Sequence, residues 1–461
     1  MQRSGRAFHA CKADCVSHLP PPSFLASRMA RDLISLAPAA ERVVLVGAPL
    51  KGSLARLQMA EHLEELTRLA DTAGAQVVGQ LTQQLNRPDP GTYLGKGKLE
   101  ELRIKIEETG ATLVVFDDQL SPAQGRNIEQ TLGTRVMDRA ELILDIFATR
   151  ARSSEARMQV ELAQLEYTLP RLTRMWTHLE KFRGGIGMRG PGETQLETDR
   201  RLINNRIKLL KGRLEEVQRS REVQRQTRRD LFKASLVGYT NAGKSSILRS
   251  LAQAKEVHVE DRLFATLDPL TREVDLGEHN RVLLTDTVGF IRKLPHDLVA
   301  SFRATLEETQ DADLLLHVID ASHAAWHEHR EVVNGVLEEL GVATKPVLHV
   351  FNKIDRLDPE ALDALQERIA HLLPNCVFVS AQAEDGLEPL RRSLLGAVRK
   401  LRPIAELRLP ISDGRMMAEI HRSGEVLDQR SDGDEMVVRA RLDPATLGRL
   451  RSQGVGVNGE R

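Results

Sequence analysis

Short apolar runs alternate with longer amphipathic segments over the first third of the chain. The runs predict four strands, at residues 42–46, 76–80, 112–116 and 135–137. The segments between them have the composition and length of helices, at residues 54–73, 98–109 and 122–132. Because strands that alternate with helices form βαβ units, a parallel sheet flanked by helices is expected. An N-terminal α/β domain is therefore predicted over residues 41–150.

The next segment of the chain, after residue 150, has the spacing of heptad repeats. Two apolar runs repeat at alternating intervals of four and three residues: Met158, Leu162, Leu165, Leu169, Leu172, Trp176 and Leu179, and then Ile203, Ile207, Leu210, Leu214 and Val217. The glycine-rich stretch between them, residues 184–192, cannot continue a helix. The two helices should therefore form an antiparallel hairpin over residues 151–230, with a kink at Pro170 in the first helix.

Short buried strands return in the C-terminal half. They are predicted at 235–237, 281–285, 347–351 and 377–379, and fit a doubly wound sheet over residues 231–402. A strand at 407–409, a helix at 414–422, a hairpin turn at 431–434 and a helix at 444–450 predict a small α+β domain over residues 403–461. The predicted fold class is thus α/β: an N-terminal parallel α/β domain, a helical hairpin, a doubly wound domain and a C-terminal α+β domain.

Composition is ordinary for a soluble globular protein, with 41% apolar and 28% charged residues. No stretch reaches the roughly 18 consecutive apolar residues of a membrane helix. Three cysteines, Cys11, Cys15 and Cys376, are too few and too scattered for a disulfide framework and fit a reducing cytoplasm. Residues 1–40 are expected to be a disordered extension, with a transit-like segment as the alternative. A cytoplasmic monomer is expected, and partial membrane association is left open.

The strand at 235–237 leads into a phosphate-binding loop. The loop precedes a helical segment and reads Gly238, Tyr239, Thr240, Asn241, Ala242, Gly243, Lys244 and Ser245. Its glycines allow backbone N–H groups to approach phosphates, and the helix N-terminus adds a favourable dipole. Lys244 is predicted to contact the β- and γ-phosphates, and the Ser245 hydroxyl to ligate Mg²⁺. These features predict a P-loop nucleotide site.

Two further motifs fit the γ-phosphate side of the same site. They are Phe264, Ala265, Thr266, Leu267 and Asp268, and then Asp286, Thr287, Val288 and Gly289 at the end of the strand at 281–285. Thr266 is the candidate second protein ligand of Mg²⁺, and Asp286 is placed to hold the ion through water. Gly289 can donate its N–H to the γ-phosphate. The candidate catalytic residues are therefore Lys244, Thr266 and Gly289.

Two more motifs predict which base is bound. They are Asn352, Lys353, Ile354 and Asp355 after one strand, and Ser380, Ala381 and Gln382 after the next. The Asp355 carboxylate can accept hydrogen bonds from the N1–H and the 2-amino group of guanine, and adenine has neither donor. A site built on such bonds rejects the analogue by several orders of magnitude. GTP and GDP are the predicted substrate and product, with Mg²⁺ as cofactor.

Phe290 follows Gly289 at a position where many GTPases carry a glutamine that orients the attacking water. A phenyl ring cannot orient water. Slow intrinsic turnover is therefore predicted, which rises when a partner or a reorganised loop supplies the missing group.

Several stretches together resemble the HflX family of bacterial GTPases, a branch related to the Obg group. They are GYTNAGKS (238–245), FATLDP (264–269), DTVGF (286–290), NKID (352–355), GGIGMRGPGETQLET (184–198) and YLGKGK (93–98). The glycine-rich loop with its ETQLE tail is the most specific of these, and the resemblance spans about residues 42–401. It implies a stress-related GTPase that binds the large (50S) ribosomal subunit and splits stalled ribosomes. It also implies that the N-terminal domain and the hairpin reach towards the peptidyl-transferase region.

Local charge gives separate support for an RNA partner. Sixty-five basic residues balance 65 acidic ones overall, but residues 200–233 hold twelve basic and four acidic residues. Such an excess is typical of phosphate-backbone binding, and a solvated helical face is the alternative. Because aromatic residues are only 3% of the chain, contacts to shape and phosphates fit better than base stacking.

Three functions stay open at this point. The leading hypothesis is a GTP-driven factor that splits or rescues stalled ribosomes, contacting 50S rRNA through the hairpin and the N-terminal domain. A GTPase that assists large-subunit assembly would use the same nucleotide site. A regulatory switch that binds a protein would leave the hairpin as a solvated coiled coil.

Overall fold

The computed structural model describes residues 40–52, 58–172, 192–226, 231–253, 262–277, 280–294, 308–402, 404–442 and 444–459. The described residues from Glu41 onwards form one compact unit. The predicted extension over residues 1–40 lies outside the described residues, apart from Ala40. Within the described ranges, no helix is long and apolar enough to cross a bilayer.

The N-terminal part of the unit is a parallel sheet with the strand order β2-β1-β3-β4. Its strands are β1 (Arg42–Gly47), β2 (Gln76–Thr82), β3 (Leu113–Phe116) and β4 (Arg135–Asp138), and its helices are α1 (Met59–Thr72), α2 (Lys96–Thr109), α3 (Pro122–Leu132) and α4 (Arg139–Arg150). Helices cover both faces, so β1 is apolar after Arg42: Val43 and Leu45 join one core, and Val44 and Val46 the other. The four predicted strands are confirmed to within two residues.

Helices α5 (Ser154–Thr168) and α6 (Gly192–Gln226) follow. The predicted heptad residues form their shared core: Met158, Leu162, Leu165 and Leu169 with Ile203, Ile207, Leu210 and Leu214. Ion pairs flank this core, Glu161 with Arg206 at 2.6 Å and Glu166 with Lys211 at 2.8 Å. In heptad notation these pairs join g to g and e to e, which is the pattern of antiparallel helices.

The ends of this helical pair differ in detail from the prediction. Pro170 lies in a 3-10 turn, Leu169–Arg171, at the end of α5, so the predicted kink takes the form of a change of helix type. Helix α6 already includes Gly192, the last residue of the predicted loop. Residues 173–191, which hold the rest of that loop, lie outside the described ranges.

The second sheet has six strands in the order β10-β9-β8-β5-β7-β6. Its strands are β5 (Phe232–Gly238), β6 (Leu270–Gly277), β7 (Asn280–Asp286), β8 (Leu314–Asp320), β9 (Val347–Asn352) and β10 (Cys376–Phe378), and its helices are α7 (Lys244–Leu251), α8 (Trp326–Glu339), α9 (Pro359–Leu372) and α10 (Glu388–Leu401). Only the edge strand β6 is antiparallel to its neighbour, β7. The carboxyl ends of the parallel strands, where the predicted motifs lie, therefore share one edge of the sheet.

A four-stranded antiparallel sheet in the order β12-β13-β11-β14 follows. Its elements are β11 (Ile404–Pro410), α11 (Gly414–Ser423), β12 (Glu425–Asp432), β13 (Glu435–Arg441), α12 (Pro444–Ser452) and β14 (Gly456–Gly459). Gly433 has a φ of +63°, as the predicted hairpin turn requires. The predicted α/β fold class with a C-terminal α+β part is confirmed.

Candidate nucleotide site

The loop after β5 needs glycine at two positions because other parts of the sheet edge approach it closely. Gly238 has a φ of +154°, and a Cβ there would lie 2.3 Å from the carbonyl oxygen of Val318. Gly243 has a φ of +98°, and a Cβ there would lie 2.2 Å from the amide nitrogen of Asn352. The loop therefore packs against β8 and the end of β9, and helix α7 begins directly after it at Lys244.

Lys244 is buried in this loop and points back along it. Its ammonium group donates to the carbonyl oxygens of Gly238 at 3.1 Å and Tyr239 at 2.9 Å. Burial lowers the pKa of Lys244 to about 8, with a further lowering by Lys353 and an opposing effect of Asp286. An added polyanion in the cleft would stabilise the charged form of this group.

The three predicted magnesium ligands meet beside Lys244. The Ser245 hydroxyl donates to the Asp286 carboxylate at 2.6 Å, and the Thr266 hydroxyl donates to the same oxygen at 2.9 Å. The two hydroxyl oxygens are 2.8 Å apart. Burial raises the pKa of Asp286, while Lys244 and the two hydroxyl donors oppose that rise. Two hydroxyls and a carboxylate form an all-oxygen donor set, which fits Mg²⁺.

Gly289 closes the cleft on the side of Asp286. A Cβ at this position would lie 2.8 Å from the Thr240 Cα and 3.0 Å from the Lys244 ammonium nitrogen, so only glycine fits. The resulting cleft has a volume of about 450 Å³. Its lining comprises Thr240, Asn241, Gly243, Lys244, Ser245, Ser246, Arg262, Phe264, Ala265, Thr266, Thr287 and Gly289.

The predicted base-binding residues join the loop to the ends of β9 and β10. The Asn352 side chain donates to the Ala242 carbonyl at 3.0 Å and accepts from the Ala381 N–H at 3.1 Å. Lys353 donates to the Asn241 carbonyl at 2.7 Å. This residue has a φ of +65°, and the turn of Ile354 and Asp355 follows it.

The Asp355 carboxylate is held by Ser380. Its oxygen accepts a hydrogen bond from the Ser380 hydroxyl at 2.5 Å. The hydroxyl oxygen in turn accepts from the backbone N–H groups of Gln382 at 3.3 Å and Ala383 at 3.1 Å. The two base motifs, 25 positions apart, thus meet at one place on the sheet edge.

Several residues of the predicted set turn their side chains away from the cleft. Val288 and Leu267 are buried in the hydrophobic core. The Thr287 hydroxyl donates to the Leu236 carbonyl at 2.7 Å, although Thr287 lines the cleft. Asp268 binds the N-terminus of helix α5 through the backbone of Arg152 and Ser153. Asp268 was predicted to bind the nucleotide because it lies two residues after Thr266 in the sequence.

Phe290 contributes its backbone to the site while its ring is buried. Its N–H donates to the Gly238 carbonyl at 3.0 Å, and its carbonyl accepts from the Thr240 N–H at 2.8 Å. Its side chain, only 2% exposed, is part of the core and does not line the cleft. No water-orienting group is therefore provided at this position.

A buried ionic network behind the phosphate loop was not predicted. The Tyr239 hydroxyl donates to Glu65 of α1 at 2.5 Å and accepts from the Arg292 N–H at 3.0 Å. Arg139 of α4 lies between Glu65 and Asp117, bonds to Asp117 at 2.8 Å and donates to the Arg292 carbonyl at 3.2 Å. Burial disfavours the charged form of Glu65, but Arg139 and Arg292 outweigh it and lower the pKa of Glu65.

This network connects the N-terminal helices to the loop and to the segment after Gly289. Lys293 extends it by donating to Asp117 at 2.5 Å and to Asp118 at 2.6 Å. The basic pair Arg292 and Lys293 after Phe290 is the one local feature of the sequence that points to this network. It does not identify the acidic partners of the pair, which are up to 227 positions away. Arg262, which lines the cleft, was also missed.

Three sequence families match successive parts of the chain. Residues 60–148 match the GTP-binding GTPase N-terminal family, residues 150–228 the GTP-binding GTPase middle region, and residues 233–353 the 50S ribosome-binding GTPase family.

Relatives cover most of the chain. The GTPase HflX of Magnetococcus marinus is 48% identical over 418 residues, which are 90% of this chain and 95% of that protein. The GTPase HflX of Escherichia coli K12 is 48% identical over 363 residues, 78% of this chain and 84% of that protein. A GTP-binding protein of Sulfolobus solfataricus, solved with GDP, covers 78% of this chain and 99% of its own at 26% identity and a TM-score of 0.42. On the identity and coverage of the two bacterial relatives, the chain belongs to the HflX family and is a GTPase.

Proposed function

We propose that the cleft holds GTP with its triphosphate along residues 238–245 and its guanine against Asp355. The observation that carries this assignment is the meeting of Ser245, Thr266 and Asp286 within 2.9 Å of one another beside buried Lys244. Ser245 and Thr266 would ligate Mg²⁺ directly and Asp286 through water. When bound, this ion neutralises charge on the β- and γ-phosphates.

The chain's own groups position and stabilise the transferred phosphoryl group. Lys244 offers a compact positive charge next to the loop carbonyls that hold it. Gly289 lines the same space, and its N–H would donate to the γ-phosphate. Thr266 would sense whether a γ-phosphate is present. Because the Phe290 ring is in the core, a water-orienting group has to come from elsewhere. Hydrolysis by the protein alone is therefore slow, and a partner accelerates it.

The partner that we propose is the large ribosomal subunit, whose binding leads to the splitting or rescue of stalled ribosomes. Helix α6 supports this because it exposes seven basic side chains: Arg200, Arg201, Arg206, Lys208, Lys211, Arg213 and Arg219. Arg206 and Lys211 pair with acidic residues of α5, and the others face solvent. The match to a family described as 50S ribosome-binding GTPases supports the same partner.

GTP turnover with and without purified large subunits tests this proposal, at low and at moderate salt. A large stimulation that weakens with salt is expected, because phosphate contacts depend on counterion release. The double variant Lys208→Glu/Arg213→Glu should lose most of the stimulation. The matched variant Arg415→Glu/Arg422→Glu reverses two exposed charges on α11 and should keep it. An absence of stimulation at either salt would overturn the ribosomal proposal and favour a protein-binding switch.

Splitting is tested separately from binding. Intact ribosomes incubated with the protein and GTP should separate into subunits, as followed by light scattering or sucrose gradients. Subunit-stimulated turnover without separation of intact ribosomes would contradict splitting and favour a role in large-subunit assembly.

A further inference from the structure

Two histidines and a glutamate lie together beside the phosphate loop, outside the nucleotide cleft. Glu61 belongs to α1, and His323 and His329 belong to the segment after β8 and to α8. One carboxylate oxygen of Glu61 is 4.0 Å from the Nδ1 atom of His323 and 3.8 Å from the Nε2 atom of His329. One ligand atom from each of the three residues lies within 4.8 Å of the others. We propose that Glu61, His323 and His329 bind a zinc ion.

The donor set fits zinc better than magnesium. Imidazole nitrogen is a preferred ligand of zinc and related transition metals, whereas Mg²⁺ prefers oxygen. Two imidazoles and one carboxylate leave a fourth position of a tetrahedral zinc site for water. That position has room, because a pocket with space for water adjoins the three residues and also touches Tyr239 and Ala242 of the phosphate loop. The proposed site is thus chemically distinct from that of Ser245, Thr266 and Asp286.

His329 is held ready to act as a ligand. Its ring stacks on the Tyr239 ring with a centroid separation of 3.8 Å and an angle of 7° between the planes. Burial, with a smaller effect of His323, lowers the pKa of His329 to about 3. The stacking fixes the plane of the imidazole, whose Nε2 atom lies 3.8 Å from the Glu61 carboxylate.

His323 has to give up a hydrogen bond to bind the ion, whereas Glu61 does not. One oxygen of Glu61 is buried and accepts no hydrogen bond from a described residue, so it is available as it stands. His323 uses its Nδ1 atom to accept a hydrogen bond from the Ala325 N–H at 3.1 Å. Zinc coordination by this ring replaces that neutral hydrogen bond, which is weak compared with a metal–imidazole bond.

The surrounding charge favours a cation despite the nearby Arg292. This guanidinium lies within 4 Å of three carboxylates, those of Glu61, Glu65 and Glu328. Across the connected network, five carboxylates face the three basic side chains of Arg139, Arg292 and Lys293: Glu61, Glu65, Glu328, Asp117 and Asp118. The excess of negative charge lowers the cost of placing a divalent ion there.

A bound zinc ion would join α1 to the segment after β8, next to Tyr239. It would hold the N-terminal helices against the back of the phosphate loop, and it would stabilise the folded chain by mass action.

Calorimetric titration of Zn²⁺ into the metal-free full chain tests this proposal, without nucleotide or magnesium. A Cys11→Ser/Cys15→Ser background removes another set of potential zinc ligands in the sequence. One equivalent of Zn²⁺ should bind, and Co²⁺ should give the visible absorption bands of a low-symmetry site. His323→Gln and Glu61→Gln should each weaken binding about tenfold or more.

His327→Gln is the matched control, because His327 is exposed on the same helix as His329 and should leave binding unchanged. Equal GDP affinity in all variants shows that they are folded. No saturable Zn²⁺ binding by the parent, or equal binding by the parent and His323→Gln, would overturn the proposed site. Because no nucleotide is hydrolysed in this test, its outcome is independent of the proposed ribosomal function.

Discussion

Asp268 caps helix α5 through Ser153, 115 positions earlier in the chain. The Asp268 carboxylate accepts hydrogen bonds from the N–H groups of Arg152 at 3.2 Å and Ser153 at 3.1 Å, and from the Ser153 hydroxyl. Ser153 is itself the N-cap of α5 and accepts from the Ala156 N–H. Thr266, the proposed γ-phosphate sensor, is two residues from Asp268. The Asp268 carboxylate thus anchors the helical pair to the segment that carries Thr266.

Replacing Asp268 should weaken this anchor measurably. Asp268→Ala removes the acceptor of three hydrogen bonds at a helix N-terminus, so the free energy of unfolding should fall by about 1–2 kcal/mol. Urea denaturation measures the change. Asp363→Ala, at an exposed position within α9, should change stability by less than about 0.5 kcal/mol. Equal effects of the two substitutions would show that the cap does not stabilise the fold.

The Tyr239 hydroxyl should contribute a similar amount to the free energy of unfolding through its contacts with Glu65 and Arg292. Tyr239→Phe keeps the ring and its stacking on His329 but removes the donor to ionised Glu65 and the acceptor for the Arg292 N–H. Because hydrogen bonds to charged buried groups are the stronger ones, we expect the free energy of unfolding to fall by about 2 kcal/mol. The same substitution in a Glu65→Gln background should cost less. Additive effects of the two changes would argue against a direct energetic link.

The nucleotide motifs could be predicted from sequence because their chemistry requires particular residues in a short stretch. Gly238 and Gly243 are needed by the backbone, and Lys244, Ser245 and Asp286 are brought together by the parallel strands that precede them. The partner of Tyr239 could not be predicted, because Glu65 lies 174 positions away and nothing local to either residue selects the other. For the same reason the use of Asp268 as a helix cap was missed.

Some strands were also missed, for physical reasons. In β6, polar and apolar residues alternate only from Val274 onwards, and β8 carries a buried histidine, His317, in its middle. The four residues of β14 include two glycines, and antiparallel pairing with β11 determines its conformation. Tertiary pairing thus outweighs local propensity in these elements.

Asp355 should determine which base is accepted. Asp355→Asn replaces one acceptor of the carboxylate by an N–H donor, which then faces the 2-amino group of guanine. GTP affinity should fall by about a hundredfold or more, because donors are left unpaired in the site. Xanthosine triphosphate, which has a carbonyl oxygen in place of the 2-amino group, should bind the variant better than GTP does. Competition with a fluorescent nucleotide measures both, and an unchanged preference for GTP would show that Asp355 does not contact the base.

Lys244 should make nucleotide binding depend on pH. The pKa of about 8 in the structure means that Lys244 is charged at pH 7 and mostly neutral at pH 8.5. A bound diphosphate favours the charged form, so binding at pH 8.5 must take up a proton that binding at pH 7 does not. Affinity for GDP should therefore be nearly constant up to about pH 7, fall about twofold by pH 8 and fall about fourfold by pH 8.5. Calorimetry in two buffers of different ionisation enthalpy should show an uptake of about three quarters of a proton at pH 8.5 and almost none at pH 7. An absence of proton uptake at pH 8.5 would show that Lys244 is fully charged in the free protein. The carbonyl groups of the phosphate loop would then offset the lowering of its pKa by burial.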